Sequence, residues 1–169
     1  MARILLASDD AMVSSRVGVR QTLEAAGHVV YETHDGPSTL AQVEALVPDL
    51  LVLDTALPIL DGFHVLAELR RNPRFQRLPV VMFSGLPRGL GSELARPYGV
   101  AYFLARPFRT ADIAAAVEYV LALQRGEAPA SQPRPVPLAE AGAPPAGEVV
   151  ELPPNRGRGE GVDRRRHRA

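Results

Sequence analysis

Residues 50–62 have the sequence LLVLDTALPILDG. The first four are apolar without interruption, which is typical of a short strand covered on both faces of a parallel sheet. A carboxylate, Asp54, follows at the carboxyl end of this strand. Asp61-Gly62 is typical of a turn at the start of a helix, because Asp is a favoured N-cap residue. The segment therefore predicts a buried central strand that ends in an acidic residue and leads into a helix.

The same alternation continues on both sides of this segment, with short apolar runs separated by amphipathic stretches. This pattern is typical of βα units on a parallel sheet. The predicted strands are Arg3–Ala7, His28–Glu32, Leu50–Leu53, Val80–Phe83 and Tyr102–Leu104. The predicted helices are Ala11–Ala26, Pro37–Leu46, Gly62–Arg71, Ser92–Tyr98 and Thr110–Arg125.

The fourth of these helices is poorly specified. Two glycines, Gly89 and Gly91, and an internal proline, Pro97, fall in or beside it. Glycine and proline disfavour a helix interior by about 1 and about 3 kcal/mol respectively. We expect this helix to be short, loose or displaced.

The character of the chain changes near residue 126. Ala, Pro, Gly and Arg dominate from there to residue 169, and the apolar periodicity stops. Such a segment buries too little apolar surface to offset its chain entropy. The sequence therefore predicts one folded domain over residues 1–125 and a disordered tail over residues 126–169. The arginines near the end are diluted by acidic residues, so we expect a solvated or protein-docking tail and no nucleic-acid partner.

Composition excludes several kinds of site. The 169 residues contain no cysteine and no tryptophan, and the net charge is zero. Disulfides, thiolate metal sites and cysteine nucleophiles are therefore excluded. No apolar stretch approaches the ~20 residues of a membrane span, so a cytoplasmic location without membrane contact is expected. The four histidines show no ligand spacing and are predicted to be surface or strand-edge residues.

Polar residues follow several of the predicted strands at the point where each ends. Asp9 and Asp10 follow the first strand, Asp54 the third, Ser84 the fourth and Arg106 the fifth. In a doubly wound sheet these ends form the ligand-binding edge. Converging carboxylates repel one another unless a cation is bound, and Mg²⁺ is a hard cation that takes carboxylate oxygens. A carboxylate can act as a phosphoryl acceptor, with hydroxyl and guanidinium groups as hydrogen-bond donors to the phosphoryl oxygens.

These residues resemble the receiver domains of bacterial two-component response regulators, in a CheY-like pattern from Arg3 to about Arg125. The matching pieces are the acidic pair Asp9-Asp10, the segment from Asp54 to Gly62, the strand-end pair Ser84-Gly85, and Arg106-Pro107-Phe108. The expected fold is then a flavodoxin-like (βα)5 doubly wound sheet of order 2-1-3-4-5, between two layers of helices.

The resemblance implies a role for each matching residue. Asp54 would be the phosphoacceptor, and Asp10 and Asp54 would bind Mg²⁺ directly. Asp9 would act mostly through water, and Ala56 would lend its backbone carbonyl to the metal. Ser84 would be the hydroxyl switch that contacts the phosphoryl group.

The resemblance also implies a rotating aromatic position, Phe103, and it implies partners. The phosphodonor would be a histidine kinase or a phosphotransfer protein. The output would be docking on a downstream protein by a stand-alone receiver, either as a monomer or as a phosphorylation-linked homodimer. The chain would not be an enzyme beyond its own phosphotransfer and dephosphorylation.

Two features depart from the family pattern. Arg106 stands where the family has lysine, and the two side chains are not interchangeable at a phosphate contact. The weak fourth helix is the other departure. Together they favour an alternative, a phosphorylation-independent pseudo-receiver that serves as an interaction adaptor. A haloacid-dehalogenase-type phosphatase is disfavoured, because that chemistry needs a second acid two residues after the nucleophile and Ala56 stands there.

Overall fold

The structure, a computed structural model, describes residues 1–9, 13–86, 88–105 and 108–129; the side chains of residues 13–16, 88 and 89 lie outside this description. The strands are β1 (Arg3–Ala7), β2 (Val29–Thr33), β3 (Leu50–Asp54), β4 (Val80–Ser84) and β5 (Tyr102–Ala105). The helices are α1 (Val13–Ala25), α2 (Gly36–Leu46), α3 (Gly62–Arg71), α4 (Arg88–Ala95) and α5 (Thr110–Gln124).

The five strands form one sheet in the order β2-β1-β3-β4-β5, and every neighbouring pair is parallel. This confirms the predicted doubly wound fold and its strand order. All residues of β3, β4 and β5 are buried. Apart from the terminal Asp54 and Ser84 their sequences are apolar, as expected for strands that helices cover on both faces of the sheet.

Each face of the sheet has its own hydrophobic cluster. One cluster joins α1 and α5 to alternate strand residues such as Leu6, Val52 and Phe83. The other joins α2, α3 and α4 to the intervening residues, among them Leu53 and Met82. Side chains of successive strand residues point to opposite faces, so cluster membership shows the face on which a strand residue lies.

The start of α3 confirms the prediction for Asp61-Gly62. Asp61 is the N-cap of the helix, and its carboxylate accepts a hydrogen bond of 3.0 Å from the backbone N–H of His64. Gly62 is required for packing. A Cβ added there would lie 2.2 Å from the carbonyl oxygen of Asp54. Helix α3 therefore begins in direct contact with the backbone at the end of β3.

The fourth helix differs from its predicted range. It spans Arg88–Ala95, and a 3-10 turn over Arg96–Tyr98 follows it. The helix is short and lies nearer the N-terminus than Ser92–Tyr98, so the predicted boundaries were wrong although its displacement was expected. It tolerates Gly91 because that glycine lies against the ring of Phe103, where a Cβ has no room.

Of the two alternatives predicted for the histidines, surface or strand edge, His28 is at a strand edge, directly before the outer strand β2, but it is not at the surface. Its side chain is buried, Nδ1 accepts a hydrogen bond from the backbone N–H of Ala2, and Nε2 pairs with Glu118 on α5. A histidine can meet both demands because one ring nitrogen accepts while the other donates. His28 therefore connects the N-terminal end of β1, the start of β2 and α5.

The predicted tail lies outside the described residues from residue 130 onward, so the domain boundary remains a prediction. Within the described part of the chain, no helix has the length and apolar character needed to cross a bilayer.

Candidate functional site

Asp54 is the last residue of β3 and lies at the carboxyl edge of the sheet. Only 1% of its surface is exposed. Its Oδ1 accepts a hydrogen bond of 2.9 Å from the backbone N–H of Ala56. A charged carboxylate is costly to bury, and hydrogen bonds and a nearby counter-charge offset this cost. Such a position is typical of a carboxylate with a chemical role.

Asp9 extends from the neighbouring strand at the same edge. β1 pairs with β3 so that Ala7 lies beside Leu53. Asp9 is two residues beyond Ala7, and Asp54 is one residue beyond Leu53. Both acids therefore lie just beyond this aligned pair, at the same edge of the sheet. Asp9 is partly exposed. Asp10, the other acid of the predicted pair, lies outside the described residues.

The residues at this edge suit a hard divalent cation. Among the residues that the structure describes, no three side chains of His, Cys, Asp or Glu come together as metal ligands. The predicted metal set, however, includes Asp10, which is not described, and the backbone carbonyl of Ala56, which is not a side chain. Asp9, Asp54 and Ala56 offer carboxylate and carbonyl oxygens, the ligands that Mg²⁺ takes in proteins. The chemistry of this donor set therefore fits Mg²⁺.

Ser84 ends β4, next to β3, and its side chain is fully buried. The hydroxyl Oγ accepts two hydrogen bonds, one of 2.8 Å from Oγ1 of Thr55 and one of 3.0 Å from the backbone N–H of Leu86. A serine hydroxyl has two acceptor positions and one donor proton. The two bonds occupy the acceptor positions, so the remaining capacity of Ser84 is to donate.

Phe103 lies in the middle of β5 with 5% of its surface exposed. It belongs to the cluster on the α2, α3 and α4 face. Its ring fills the space beside Gly91 on α4, since a Cβ built on that glycine would lie 2.4 Å from Cζ. The predicted aromatic switch residue is therefore buried in this structure and in direct contact with α4.

Arg106, the predicted phosphate ligand, lies outside the described residues together with Pro107. The segment is described again from Phe108, whose ring packs edge-to-face on Phe83 with centroids 5.5 Å apart. Arg109 then precedes α5 and donates to the carboxylate of Asp112 through both its backbone N–H and its guanidinium.

Sequence reasoning did not single out Thr55. A signal for it was present, because residues two apart on a strand share a face. Thr55 lies two residues after Leu53, so its side chain is on the face of the sheet that also carries Met82 and Ser84. Thr55 and Ser84 are at the aligned ends of neighbouring strands. A hydroxyl beside the predicted switch serine could therefore have been recognised.

Arg70 was also not singled out. Its guanidinium donates to the backbone carbonyls of Tyr98, Phe75 and Gly99, and burial lowers the pKa of Arg70 to about 10. These bonds connect the end of α3 to the turn that precedes β5. No sequence pattern distinguishes Arg70 from the surface arginines around it.

Comparison with known proteins is consistent with this geometry. The family model of the response regulator receiver domain matches residues 4–118. The DNA-binding dual master transcriptional regulator RpaA of Synechocystis is 37% identical over 116 residues, which cover 63% of this chain and 47% of the relative. The phosphate regulon transcriptional regulatory protein PhoB of Rhizobium meliloti is 32% identical, over 72% of this chain and 52% of the relative.

Solved structures match the chain over a similar share of its length. The Vibrio cholerae chemotaxis protein CheY4 has a TM-score of 0.61 and 25% identity, and the match covers 74% of this chain and 98% of that structure. The chain spans about half the length of the curated relatives it matches. Because the family model covers most of the folded region and the strand order is that of its structural neighbours, this chain belongs to the family of two-component response regulator receiver domains.

Proposed function

We propose that Asp54 accepts a phosphoryl group from a histidine kinase or a phosphotransfer protein in a Mg²⁺-dependent reaction. The observation that carries this proposal is the burial of a carboxylate, 1% exposed, at the end of a central strand and at the carboxyl edge of the sheet. A buried acid there contributes little to a hydrophobic core, and this edge is where doubly wound sheets bind ligands. The family of the chain supports the same role.

In the proposed transfer, a carboxylate oxygen of Asp54 attacks phosphorus. The phosphorus–nitrogen bond of a phosphohistidine breaks, and the departing imidazole nitrogen keeps the bonding electron pair. Receiver domains generally use Mg²⁺ at this site, where it supplies charge neutralisation between the carboxylates and the phosphoryl oxygens. In this chain Asp9, Asp10, Asp54 and the carbonyl of Ala56 would hold it.

Two further residues of the proposed site would bind the phosphoryl group once it is attached to Asp54. Ser84 has a donor proton for a phosphoryl oxygen, and Arg106 supplies a guanidinium that can bind another oxygen through two N–H groups. The phosphoryl group adds about −1.5 to −2 charges at neutral pH. We propose that the response of Ser84 and Phe103 to this charge changes the surface around α4, β5 and α5, and that a downstream protein docks there.

Intact-mass measurement tests the acceptor. Acetyl phosphate with Mg²⁺ is expected to add one phosphoryl group to the full chain, because it supplies the same group without a partner protein. Removal of Mg²⁺ by chelation and the variant Asp54→Asn are each expected to abolish the added mass. Glu44→Gln, a change on the exposed side of α2, is the control and should behave as the wild type.

No added mass in the wild type, or an equal addition in Asp54→Asn, would overturn the proposal. The relatives named above give no support to the adaptor alternative. Cytoplasmic location, stand-alone action and the tail as a separate segment remain predictions.

A further inference from the structure

Thr55 and Ser84 form a buried hydroxyl pair that the phosphoacceptor role of Asp54 does not by itself require. Thr55 is 8% exposed and Ser84 is 0% exposed. Oγ1 of Thr55 donates to Oγ of Ser84 over 2.8 Å. A buried hydrogen bond of this kind stabilises whichever conformation contains it. The pair therefore stabilises the conformation in which Ser84 lies beside Thr55.

The pair lies on the opposite side of the sheet from the side chain of Asp54. Asp54 follows Val52, which belongs to the cluster under α1 and α5. Thr55 lies two residues after Leu53, and Ser84 lies two residues after Met82. Leu53 and Met82 belong to the cluster under α2, α3 and α4. Because side chains alternate along a strand, the carboxylate of Asp54 and the hydroxyl of Ser84 leave the sheet on different faces.

The second bond to Ser84 strengthens this arrangement. The backbone N–H of Leu86 donates to the same oxygen over 3.0 Å. Leu86 belongs to the loop between β4 and α4, so the position of the Ser84 hydroxyl and the course of that loop are connected. A Ser84 hydroxyl that turned towards a phosphoryl group on Asp54 would leave Thr55 and weaken its contact with this loop.

We propose that Thr55 is a positioning residue that holds Ser84 in the resting conformation of the switch. The group that draws the Ser84 hydroxyl away from Thr55 is a phosphoryl group on Asp54. Thr55 then sets how readily the receiver responds, because the Ser84 hydroxyl must rotate out of its hydrogen bond with Thr55 to reach that group from the other face of the sheet. This inference rests on the proposed phosphoacceptor role of Asp54.

Binding of a phosphoryl mimic tests the inference. The probe is beryllium fluoride with Mg²⁺, titrated by calorimetry into the full chain. Thr55→Val keeps the shape of the side chain and removes the hydroxyl. It should bind the mimic about fivefold more tightly, as expected when one buried hydrogen bond of the resting state is lost. Thr55→Ser keeps a hydroxyl and should bind like the wild type.

A double-mutant cycle separates this role from a general effect on packing. Ser84→Ala removes the group that Thr55 holds, so adding Thr55→Val to Ser84→Ala should leave the affinity unchanged. Thr55→Ala serves as the second hydroxyl-free variant and should also bind more tightly than the wild type.

Equal or weaker binding by both hydroxyl-free variants would overturn the inference, and so would an equal gain in the Ser84→Ala background. If the wild type binds the mimic and Asp54→Asn does not, such a failure concerns Thr55 alone. If the wild type does not bind the mimic, or Asp54→Asn binds it equally well, the phosphoacceptor role fails together with the inference.

Discussion

One residue in the loop that follows Asp54 has an unfavourable backbone conformation. Ile59, in the loop between Asp54 and α3, has a φ of 69° and is 73% exposed. The left-handed region is unfavourable for a β-branched residue by roughly 1–2 kcal/mol. The loop is also held close to α2, because the backbone N–H of Gly36 donates to the carbonyl of Pro58. The surrounding backbone therefore maintains a strained conformation in the loop that follows the buried acid.

Replacing Ile59 with glycine should stabilise the protein. Glycine adopts a positive φ without a steric penalty, and the mostly exposed side chain of Ile59 contributes little burial. We expect Ile59→Gly to raise the free energy of unfolding by about 1 kcal/mol, measured by urea denaturation. Ile59→Ala keeps a Cβ and is the control, with a smaller change expected. A Gly variant no more stable than the Ala variant would show that the φ of Ile59 costs nothing.

The contact of α4 with β5 depends on one small residue. A glycine in a helix interior is normally about 1 kcal/mol less stable than alanine, so Gly91→Ala would ordinarily stabilise α4. Here the added methyl group would overlap the ring of Phe103. We expect Gly91→Ala to lower the free energy of unfolding by about 1–3 kcal/mol, the usual cost of overpacking, measured by urea denaturation.

Trimming the ring should reverse this effect. In a Phe103→Leu background, which removes the far end of the ring, Gly91→Ala is expected to cost much less or to stabilise the protein. An equal loss in both backgrounds would mean that Gly91 is needed for a reason other than its contact with Phe103.

Helix α5 begins with a pH-sensitive contact. The hydrogen bonds from Arg109 lower the pKa of Asp112 below its ordinary value. A lowered pKa in the folded protein means that the contact stabilises the fold above pH 3.8, the ordinary value, and that this contribution is lost as the pH falls through the folded pKa. Because the side chain of Arg109 is largely exposed, water screens the pair and the contribution is modest.

We expect Asp112→Asn to lower the free energy of unfolding at pH 7. Between pH 7 and pH 3 this free energy should then decrease less than it does in the wild type. Denaturant unfolding between pH 7 and pH 3 measures both effects. Glu44→Gln, an exposed helical change without this contact, should keep the slope of the wild type. An unchanged acid slope in Asp112→Asn would contradict the role given to the Arg109 contact.

At the level of elements, the sequence predicted most of the sheet. Residues 50–53 identified β3, and every predicted strand boundary lies within one residue of the observed one. Short apolar runs bounded by turn residues are a strong signal for buried strands. Helix α4 was misplaced because glycine propensity argued against residues 88–91, and the packing of Gly91 on Phe103 cannot be read from local sequence. The burial of His28 was not predicted for a similar reason, since its partner Glu118 is 90 residues away.

At the level of the whole molecule, the buried His28 contact and the candidate site lie at opposite ends of the sheet. His28 connects β1, β2 and α5 at the amino end of the strands, and Asp54 and Ser84 lie at the carboxyl end. The candidate site was predictable because parallel strands bring their carboxyl ends to one edge. The position of Thr55 beside Ser84 could have been recognised from the strand alignment, but the hydrogen bond between them depends on the rotamers of both side chains.

This separation predicts that stability can change without loss of phosphoryl acceptance. His28→Leu removes the ring hydrogen bonds to Ala2 and Glu118, and we expect it to lower the free energy of unfolding by about 2 kcal/mol. Phosphoryl uptake from acetyl phosphate should remain that of the wild type under conditions where the variant is folded. His34→Leu, a change at a less buried histidine, is the control for stability. Loss of uptake in folded His28→Leu would contradict the separation.

Magnesium titration tests the convergence of the acidic residues most directly. Calorimetric titration of Mg²⁺ into the full chain should show one binding site in the wild type and in Glu44→Gln. Asp10→Asn and Asp54→Asn should each weaken that site by at least about tenfold. If the wild type binds no Mg²⁺, or if both Asn variants bind it as tightly as the wild type, the acidic residues do not form a cation site at this edge of the sheet.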